Sequence, residues 1–573
     1  MKEANPSEGN DMIAFPKEDI AGEIVLFRGD DNSETLGLIL GDVVPDKEHV
    51  FIVAPLHIHS QTSVNTSFEF IISPNDVIRG SLDSSYLIRI YNTNPLPESK
   101  IVNYVAKLSP SKLDEILKGW LALVGRCYFR AIHQPRQRKA FQPQVSRINY
   151  AGRVFDEKEI INLLHSSVDF WLTAGPYTEQ FENKLKEFLG VKYCSFCNSG
   201  SSANLLAFAA LTSPKLGSRR INKGDEVITV AAAFPTTVAP IIQYGAIPVF
   251  VDITLPTYNI DCNQLEKALS EKTKAVMIAH TLGNPFDIKT VRAFCHRHQL
   301  WLIEDNCDAL GSRYFFNDKW QYTGTFGDIA TSSFYPPHHI TTGEGGAVFT
   351  NDATLHNIII SLRDWGRDCW CPPGRDDTCK RRFRWRLGEL PEGYDHKYIY
   401  SHFGYNLKAT DMQAAVGCAQ IEKLEHFVEV RKKNWKLLRE GLDELSHLFV
   451  LPEATPNSDP SWFGFALTVK ENAGFSRDEI VSFLEANNIQ TRMLFAGNLI
   501  RHPCFDEMRK TKNGYRVVGD PNSYSAADNE LSLPVTELVM NNSFWIGVYP
   551  GLRDEMIEFV IRQILTFARN KTC

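Results

Sequence analysis

The 573-residue chain has no uninterrupted apolar run long enough to cross a bilayer and no block of lysine and arginine long enough to act as a nucleic-acid arm. Its 61 Lys and Arg stand against 68 Asp and Glu, a formal net charge of -7, so charge argues against nucleic acid as the main partner of the whole chain. The opening MKEANPSEGNDMIAFPKEDI lacks the basic start and apolar centre of a secretory signal. A Gly-x-Gly-x-x-Gly dinucleotide fingerprint is missing too. These absences argue against a membrane protein, a nucleic-acid binder and a self-contained nicotinamide enzyme, and lead us to expect a cytoplasmic multidomain enzyme.

Cysteine is present in number, with 12 in the chain. In a reducing compartment they read as thiols or metal ligands, not as a disulfide framework. Cys369, Cys371 and Cys379 crowd into WGRDCWCPPGRDDTC, a loop punctuated by Pro372, Pro373 and Gly374. With Cys307 upstream, the set suits either structural zinc or a [2Fe-2S] cluster. The close pair Cys194 and Cys197 in YCSFC reads as packing residues of a buried strand.

Residues 1–20 are expected to be disordered. Residues 21–125 alternate short apolar runs (EIVLF, LGLIL, HVFIVAP, FEFIIS, YLIRI) with turns, which predicts a small antiparallel barrel. A closing helix follows in LSPSKLDEILKGWLALVG: Ser109 can cap it, Pro110 fits its first position, and Leu113, Ile116, Leu117, Trp120 and Leu121 share one face. Residues 126–148, rich in Arg and Gln, read as a linker. From 149 to 410, VKYCSFC, EVITVAA, IPVFVDI, AVMIAH and WLIEDN alternate with helix-length segments, which predicts a mainly parallel sheet covered on both faces. Ligands of such sheets gather at the carboxyl ends of the strands. Residues 411–573 open with a long amphipathic helix running to about Leu445 and read as a smaller α+β domain.

NSGSSAN, residues 198–204, follows a strand and opens a helix, so its backbone N–H groups and the hydroxyls of Ser201 and Ser202 could hold a phosphate; it could equally be an ordinary helix start. EDNCDALG, residues 304–311, ends a strand with carboxylates, and SFYPPHHITTGEGG, residues 333–346, adds a glycine-rich turn. In this order and spacing, with GYNLKATDMQAA at 404–415, the blocks resemble the DegT and StrS type family of pyridoxal-phosphate sugar aminotransferases from about residue 150 to the end. The resemblance implies the α/β fold of the PLP-dependent aminotransferases (fold type I), preceded by the small N-terminal β-barrel. It makes Asp305 the partner of the cofactor's ring nitrogen and Phe234 the aromatic stacked on the ring. Gly200, Ser201, Ser202 and Ser333 would bind the cofactor phosphate, and Asn406 would reach the phosphate of a neighbouring subunit, which implies a homodimer. Asp308 stands where the family usually has glutamine.

The chain departs from the family at His338. The family pattern SFxPxK places a Schiff-base lysine there, and an imidazole cannot replace it. The cofactor is then expected to be held without a covalent bond, as pyridoxamine 5'-phosphate, with His338 as the base. The alternative is that His338 and His339 are structural histidines of an inactive relative. The histidine together with Cys307, Cys369, Cys371 and Cys379 resembles the branch of pyridoxamine- and [2Fe-2S]-dependent 3-dehydrases that act on a CDP-linked 4-keto-6-deoxy sugar in 3,6-dideoxyhexose synthesis for lipopolysaccharide O-antigen. That resemblance implies a separate NADH-dependent flavin and iron-sulfur reductase as electron donor. An enzyme of the same kind without a cluster, and a noncatalytic binding protein, stay open. Residues 20–125 resemble the small barrel of MazF and PemK type toxins but lack the arginine–proline pair of the second strand, so an interaction or regulatory barrel is expected and not a ribonuclease.

Overall fold

The computed structural model describes residues 21, 23–28, 33–43, 50–58, 69–72, 74–80, 82, 86–89, 94–97, 101–371, 374–378, 380–511, 514–518 and 533–572. The expected disordered segment 1–20 and Cys379 lie outside them. The chain forms two compact units, Met1–Arg138 and Lys139–Cys573.

In the first unit, strands Glu23–Arg28, Glu34–Val43, Val50–Ile58, Glu69–Ile72, Val77–Gly80, Tyr86–Arg89, Asn94–Pro97 and Ile101–Leu108 form one sheet, antiparallel in every pairing described. Ile24, Leu38, Ala54, Ile72 and Ile88 are fully buried and form its core with Ile116. Ile116 belongs to helix Pro110–Tyr128, which starts where the sequence places it: Ser109 Oγ accepts from Lys112 N and Pro110 takes the first turn. The expected linker begins differently. The helix runs on through a π turn at Phe129–His133 and the turn Gln134–Gln137. Arg, Gln and Ala are good helix formers, and they continue a helix that needs no apolar face of its own.

The second unit is built on an eight-stranded sheet in the order Arg516–Val517, Ile247–Val251, Glu226–Val230, Thr273–Ala279, Trp301–Asp305, Ile329–Ser333, Gly346–Thr350, Tyr193–Cys197. The first six pair in parallel, and Gly346–Thr350 runs antiparallel to both neighbours. Every residue of Glu226–Val230, Trp301–Asp305, Ile329–Ser333 and Gly346–Thr350 is buried, as the continuous apolar runs require of strands covered on both faces. Helix Gly200–Leu211 is likewise buried almost all round. A second sheet, Phe449–Val450, Gly464–Val469, Ser543–Gly547 and Thr491–Arg492, packs with helices Leu424–Gly441, Arg477–Ala486 and Asp554–Thr572 around a separate core.

The long helix expected from Asp411 is two helices, Asp411–Gln420 and Leu424–Gly441, joined by a 3-10 turn at Ile421–Lys423. Asp411 also looks backward along the chain: its carboxylate accepts from the backbone N–H groups of Gly175, Tyr177 and Thr178, capping helix Pro176–Leu189.

Candidate active site

The loops that follow Tyr193–Cys197, Glu226–Val230, Thr273–Ala279, Trp301–Asp305 and Ile329–Ser333 meet at one edge of the main sheet, and with Phe463, Arg492 and Trp545 they line a cavity of about 500 Å³. Gly200, Ser201, Asn204, Phe234, Asp305, Cys307, Asp308, Ser333 and His338 all line it. Most of the positions expected from the sequence are therefore brought to one place. Ser202 and Asn406 are not among the lining residues. Ser202 is spent on its own helix, its N–H donating to Ser199 Oγ at 3.1 Å and its hydroxyl accepting from Ser199 at 3.0 Å. Asn406 is exposed and accepts from Lys408 Nζ at 2.7 Å.

Asp305 is fixed by a buried network. Its Oδ2 accepts from Asn204 Nδ2 at 2.8 Å and Thr237 Oγ1 at 2.7 Å, while Oδ1 accepts from Cys307 N at 3.2 Å. Asn204 in turn accepts from Thr331 Oγ1 at 2.7 Å. These three donors hold the carboxylate in one orientation with 5 % of its surface exposed to the cavity. The motif pattern does not single out Asn204 or Thr237. Their only mark is a polar residue on an otherwise apolar helix, ANLLAFAAL, and a threonine just after the aromatic of AAAFPTT.

Gly200 opens its helix directly against Ser333: a Cβ at Gly200 would lie 2.4 Å from the Ser333 Cβ. Only a hydrogen fits, and the first turn of the helix thereby faces the cavity with its N–H groups. Phe234 is 53 % exposed and forms an edge contact with Phe495, their centroids 6.1 Å apart. An exposed ring in a cavity wall, a fixed carboxylate and a helix start stripped of side chain fit a flat phosphorylated pyridine.

His338 lies in the turn after Ile329–Ser333, its backbone N–H donating to Tyr335 O at 3.0 Å. Its ring packs on Phe463 with centroids 5.2 Å apart. Asp308 Oδ1 is 3.5 Å from Nδ1, yet Nδ1 is buried without a hydrogen-bond partner. Burial, reinforced by the charge of Arg431 and opposed by Asp305, lowers His338 to about 4, so the imidazole is neutral at physiological pH. Burial and the neighbouring Asp305 push the Asp308 carboxyl well above the ordinary range, against the pull of Arg431.

The sulfurs are placed in two groups. Cys307 lines the main cavity, and burial followed by Asp305 raises its thiol. Cys369 and Cys371 line a separate small cleft with Asp376, Asp377, Arg382, His396 and Lys397, where Cys371 Sγ is 3.0 Å from Thr378 Oγ1. Among the described residues no group of three or more His, Cys, Asp or Glu side chains is arranged to hold a metal ion. The described sulfurs therefore do not by themselves compose a cluster site, nor a zinc site.

The sequence profile of the DegT/DnrJ/EryC1/StrS aminotransferase family matches residues 154–565. The chain belongs to this family. Its second unit has the fold of the family's PLP-dependent enzymes, a mainly parallel sheet with a smaller C-terminal part. Among relatives, the lipopolysaccharide biosynthesis protein RfbH of Salmonella typhimurium is 54% identical over 429 residues, 75% of this chain and 93% of that protein. The dTDP-4-dehydro-2,6-dideoxy-D-glucose 3-dehydratase of Saccharopolyspora spinosa is 49% identical over 438 residues, 76% of this chain and 90% of that protein. The E. coli GDP-4-keto-6-deoxy-D-mannose-3-dehydratase with bound hydrated PLP superposes with a TM-score of 0.62 at 28% identity, covering 73% of this chain and 100% of that one. Among the described residues, no helix is long and apolar enough to cross a membrane.

Proposed function

We propose that this member of the DegT/DnrJ/EryC1/StrS family is a pyridoxamine-phosphate-dependent 3-dehydratase of a nucleotide-linked 4-keto-6-deoxyhexose. The observation that carries the reading is His338 in the wall of a cavity that also holds Asp305, at the position where the family keeps its lysine. Pyridoxamine phosphate, when bound, supplies an amine to meet the sugar's ketone and a ring that draws electrons from it.

The chain's own groups take the remaining roles. The helix start at Gly200 and Ser201, with Ser333 beside it, would receive the phosphate. Asp305, held by Asn204, Thr237 and the Cys307 N–H, would keep the ring nitrogen protonated. Phe234 would lie against the ring. The His338 imidazole, neutral because it is buried, would take a proton from the reacting carbon, and could deliver it to the departing C3 hydroxyl. Among the described residues no primary amine lines the cavity to tether the cofactor, so ordinary transamination is disfavoured.

The finer reading includes CDP as the nucleotide, a [2Fe-2S] cluster on Cys307, Cys369, Cys371 and Cys379, an NADH-dependent flavin and iron-sulfur reductase as partner, and a homodimer to which Asn406 contributes. Its support is the cysteine pattern C-x-C-x7-C downstream of Cys307. A dehydratase without a cluster is the second reading, favoured by the separation of Cys307 from the cleft of Cys369 and Cys371.

The test is incubation of the holoprotein with CDP-, GDP- and dTDP-linked 4-keto-6-deoxyhexoses, following loss of the C3 hydroxyl by mass spectrometry. Turnover of none of them sinks the dehydratase reading. Iron and acid-labile sulfide on anaerobically purified protein separate the two forms: about two of each per chain for the cluster enzyme, none for the other.

A further inference from the structure

Arg431 is among the largest side chains buried in the molecule, with 1 % of its surface exposed. It projects from helix Leu424–Gly441, and among the described residues no carboxylate lies within ion-pair distance of it. Its hydrogen bonds go to backbone carbonyls on two segments far apart in sequence. Nη2 donates to Pro337 O at 3.2 Å and His338 O at 3.1 Å; Nη1 donates to Trp462 O at 3.3 Å and Phe463 O at 3.4 Å. Those segments carry the two rings that pack on each other in the cavity wall, His338 and Phe463. Asp308 is near enough to feel its charge but makes no direct ion pair with it, and a buried cation held that way is a costly filler, since methionine or leucine would occupy the same volume without desolvating a charge. What a planar guanidinium provides and an apolar side chain cannot is a set of donors in fixed relative directions.

We propose that Arg431 is a positioning residue that acts through His338: by holding the backbones of His338 and Phe463 in one frame, it fixes the imidazole's orientation toward the cavity. The inference rests on the reading of His338 as the proton acceptor, and it adds that the acceptor's aim is set from outside the cavity, by a helix of the C-terminal part. Asp305 and Asp308 face the same imidazole from the end of strand Trp301–Asp305 and the loop after it, and His339 adjoins it in the turn; among the described residues the side-chain donor to the His338 carbonyl is Arg431.

The test uses the full-length holoprotein and the exchange of the pyridoxamine C4′ proton with solvent in the presence of substrate. Arg431→Met is expected to slow exchange about 100-fold with KM changed less than about threefold, the loss that a misplacement of about 1 Å can produce. Arg431→Lys, which keeps a donor, is expected to recover about tenfold of that. In a His338→Asn background the same Arg431→Met change should cost less than about threefold, because the group it aims is gone. An equal cost in both backgrounds would mean general damage and would overturn the proposal.

A crystal structure of the Arg431→Met protein, or of Arg431→Lys should the first not fold, gives a readout that needs no turnover. The ring pair of His338 and Phe463 is expected to come apart while the main sheet stays unchanged. If the pair keeps its 5.2 Å spacing, Arg431 does not position it, whatever the activity. If the pair separates yet the wild-type protein exchanges no proton with any substrate, the dehydratase reading fails and the clamp stands.

Discussion

Gly200→Ala sets two effects of opposite sign against each other. Within a helix, alanine is favoured over glycine by about 1 kcal/mol, so helix propensity alone predicts a protein slightly more stable than the parent. The new methyl would, however, stand 2.4 Å from Ser333 Cβ, 2.7 Å from its Oγ and 3.1 Å from its Cα. Ordinary carbon contacts lie near 3.5–4.0 Å, so the helix start and the strand end must part by about 1 Å. Overpacking of that kind costs roughly 1–3 kcal/mol, and Ser333 at the end of a fully buried strand has little room to yield. The net expectation is a loss of about 0–2 kcal/mol, a shift of at most a few degrees in Tm for a unit of this size. Cofactor binding should suffer more. A helix start displaced by about 1 Å weakens charge-assisted hydrogen bonds worth about 1.5–3 kcal/mol each, so the Kd for pyridoxamine phosphate should rise at least about tenfold. Calorimetric titration with the cofactor and thermal unfolding of the same samples give both numbers. Adding Ser333→Gly removes two of the three close contacts and should return part of the lost stability, while affinity stays low because Ser333 itself is assigned to the phosphate. A variant that is more stable and binds as tightly as the parent would refute the assignment of this turn as the phosphate cradle.

Asn204→Ala removes one donor from Asp305 and leaves the Thr331 hydroxyl without its acceptor; a cost of about 1–3 kcal/mol in urea unfolding is expected, together with weaker cofactor binding. If stability and affinity both stay at parental values, the network does not hold Asp305. His338→Lys places a primary amine at the cavity, so added pyridoxal phosphate should become fixed to the protein by borohydride, read as a mass increase, while dehydration is lost. Retained dehydration would remove His338 as the base. Burial, with the charges of Arg363 and Lys186, lowers His356 to about 4. Its unfolded value is about 6.5, so between these values the unfolded chain binds the extra proton. The stability tied to this histidine is therefore complete above about pH 6.5 and is lost as the pH falls toward 4, at most about 2–3 kcal/mol. Unfolding of His356→Gln at pH 7 and pH 5 should show a shallower pH slope than the parent; identical slopes would exclude His356 as a contributor.

The strands of the main sheet were legible because a layer covered on both faces leaves continuous apolar runs, and EVITV, WLIED and their partners are such runs. The cavity positions followed from strand ends and from the order of the motifs. Side chains that act across the fold left fainter marks. Thr237 and Asp305 are 68 residues apart, and nothing local links them. Arg431 sits in RKKNWKLLRE among solvated cations, yet it falls on the stripe Phe427, Val428, Arg431, Asn434, Leu438 that is buried throughout. A charged residue in register with an apolar stripe is the signal that was available. Residues 126–137 misled through composition: rich in Arg and Gln and carrying Pro135, they looked like a connection, although Arg, Gln and Ala favour a helix and Phe129 gives it a buried anchor.

The pairing of Val249 with Arg516 has a consequence for how the chain is made. Strand Ile247–Val251 leaves the ribosome with its outer edge bare, and the two-residue strand that covers it, Arg516–Val517, is synthesised long after it. At about 5–20 residues per second the wait is roughly 15–50 s, during which an apolar strand offers its backbone to any neighbour. Asp411 adds a second delay, because the amino end of helix Pro176–Leu189 stays uncapped until that carboxylate arrives. A nascent chain of this design should lean on chaperones, and a fragment cut at residue 410 should aggregate instead of folding as a free-standing large domain.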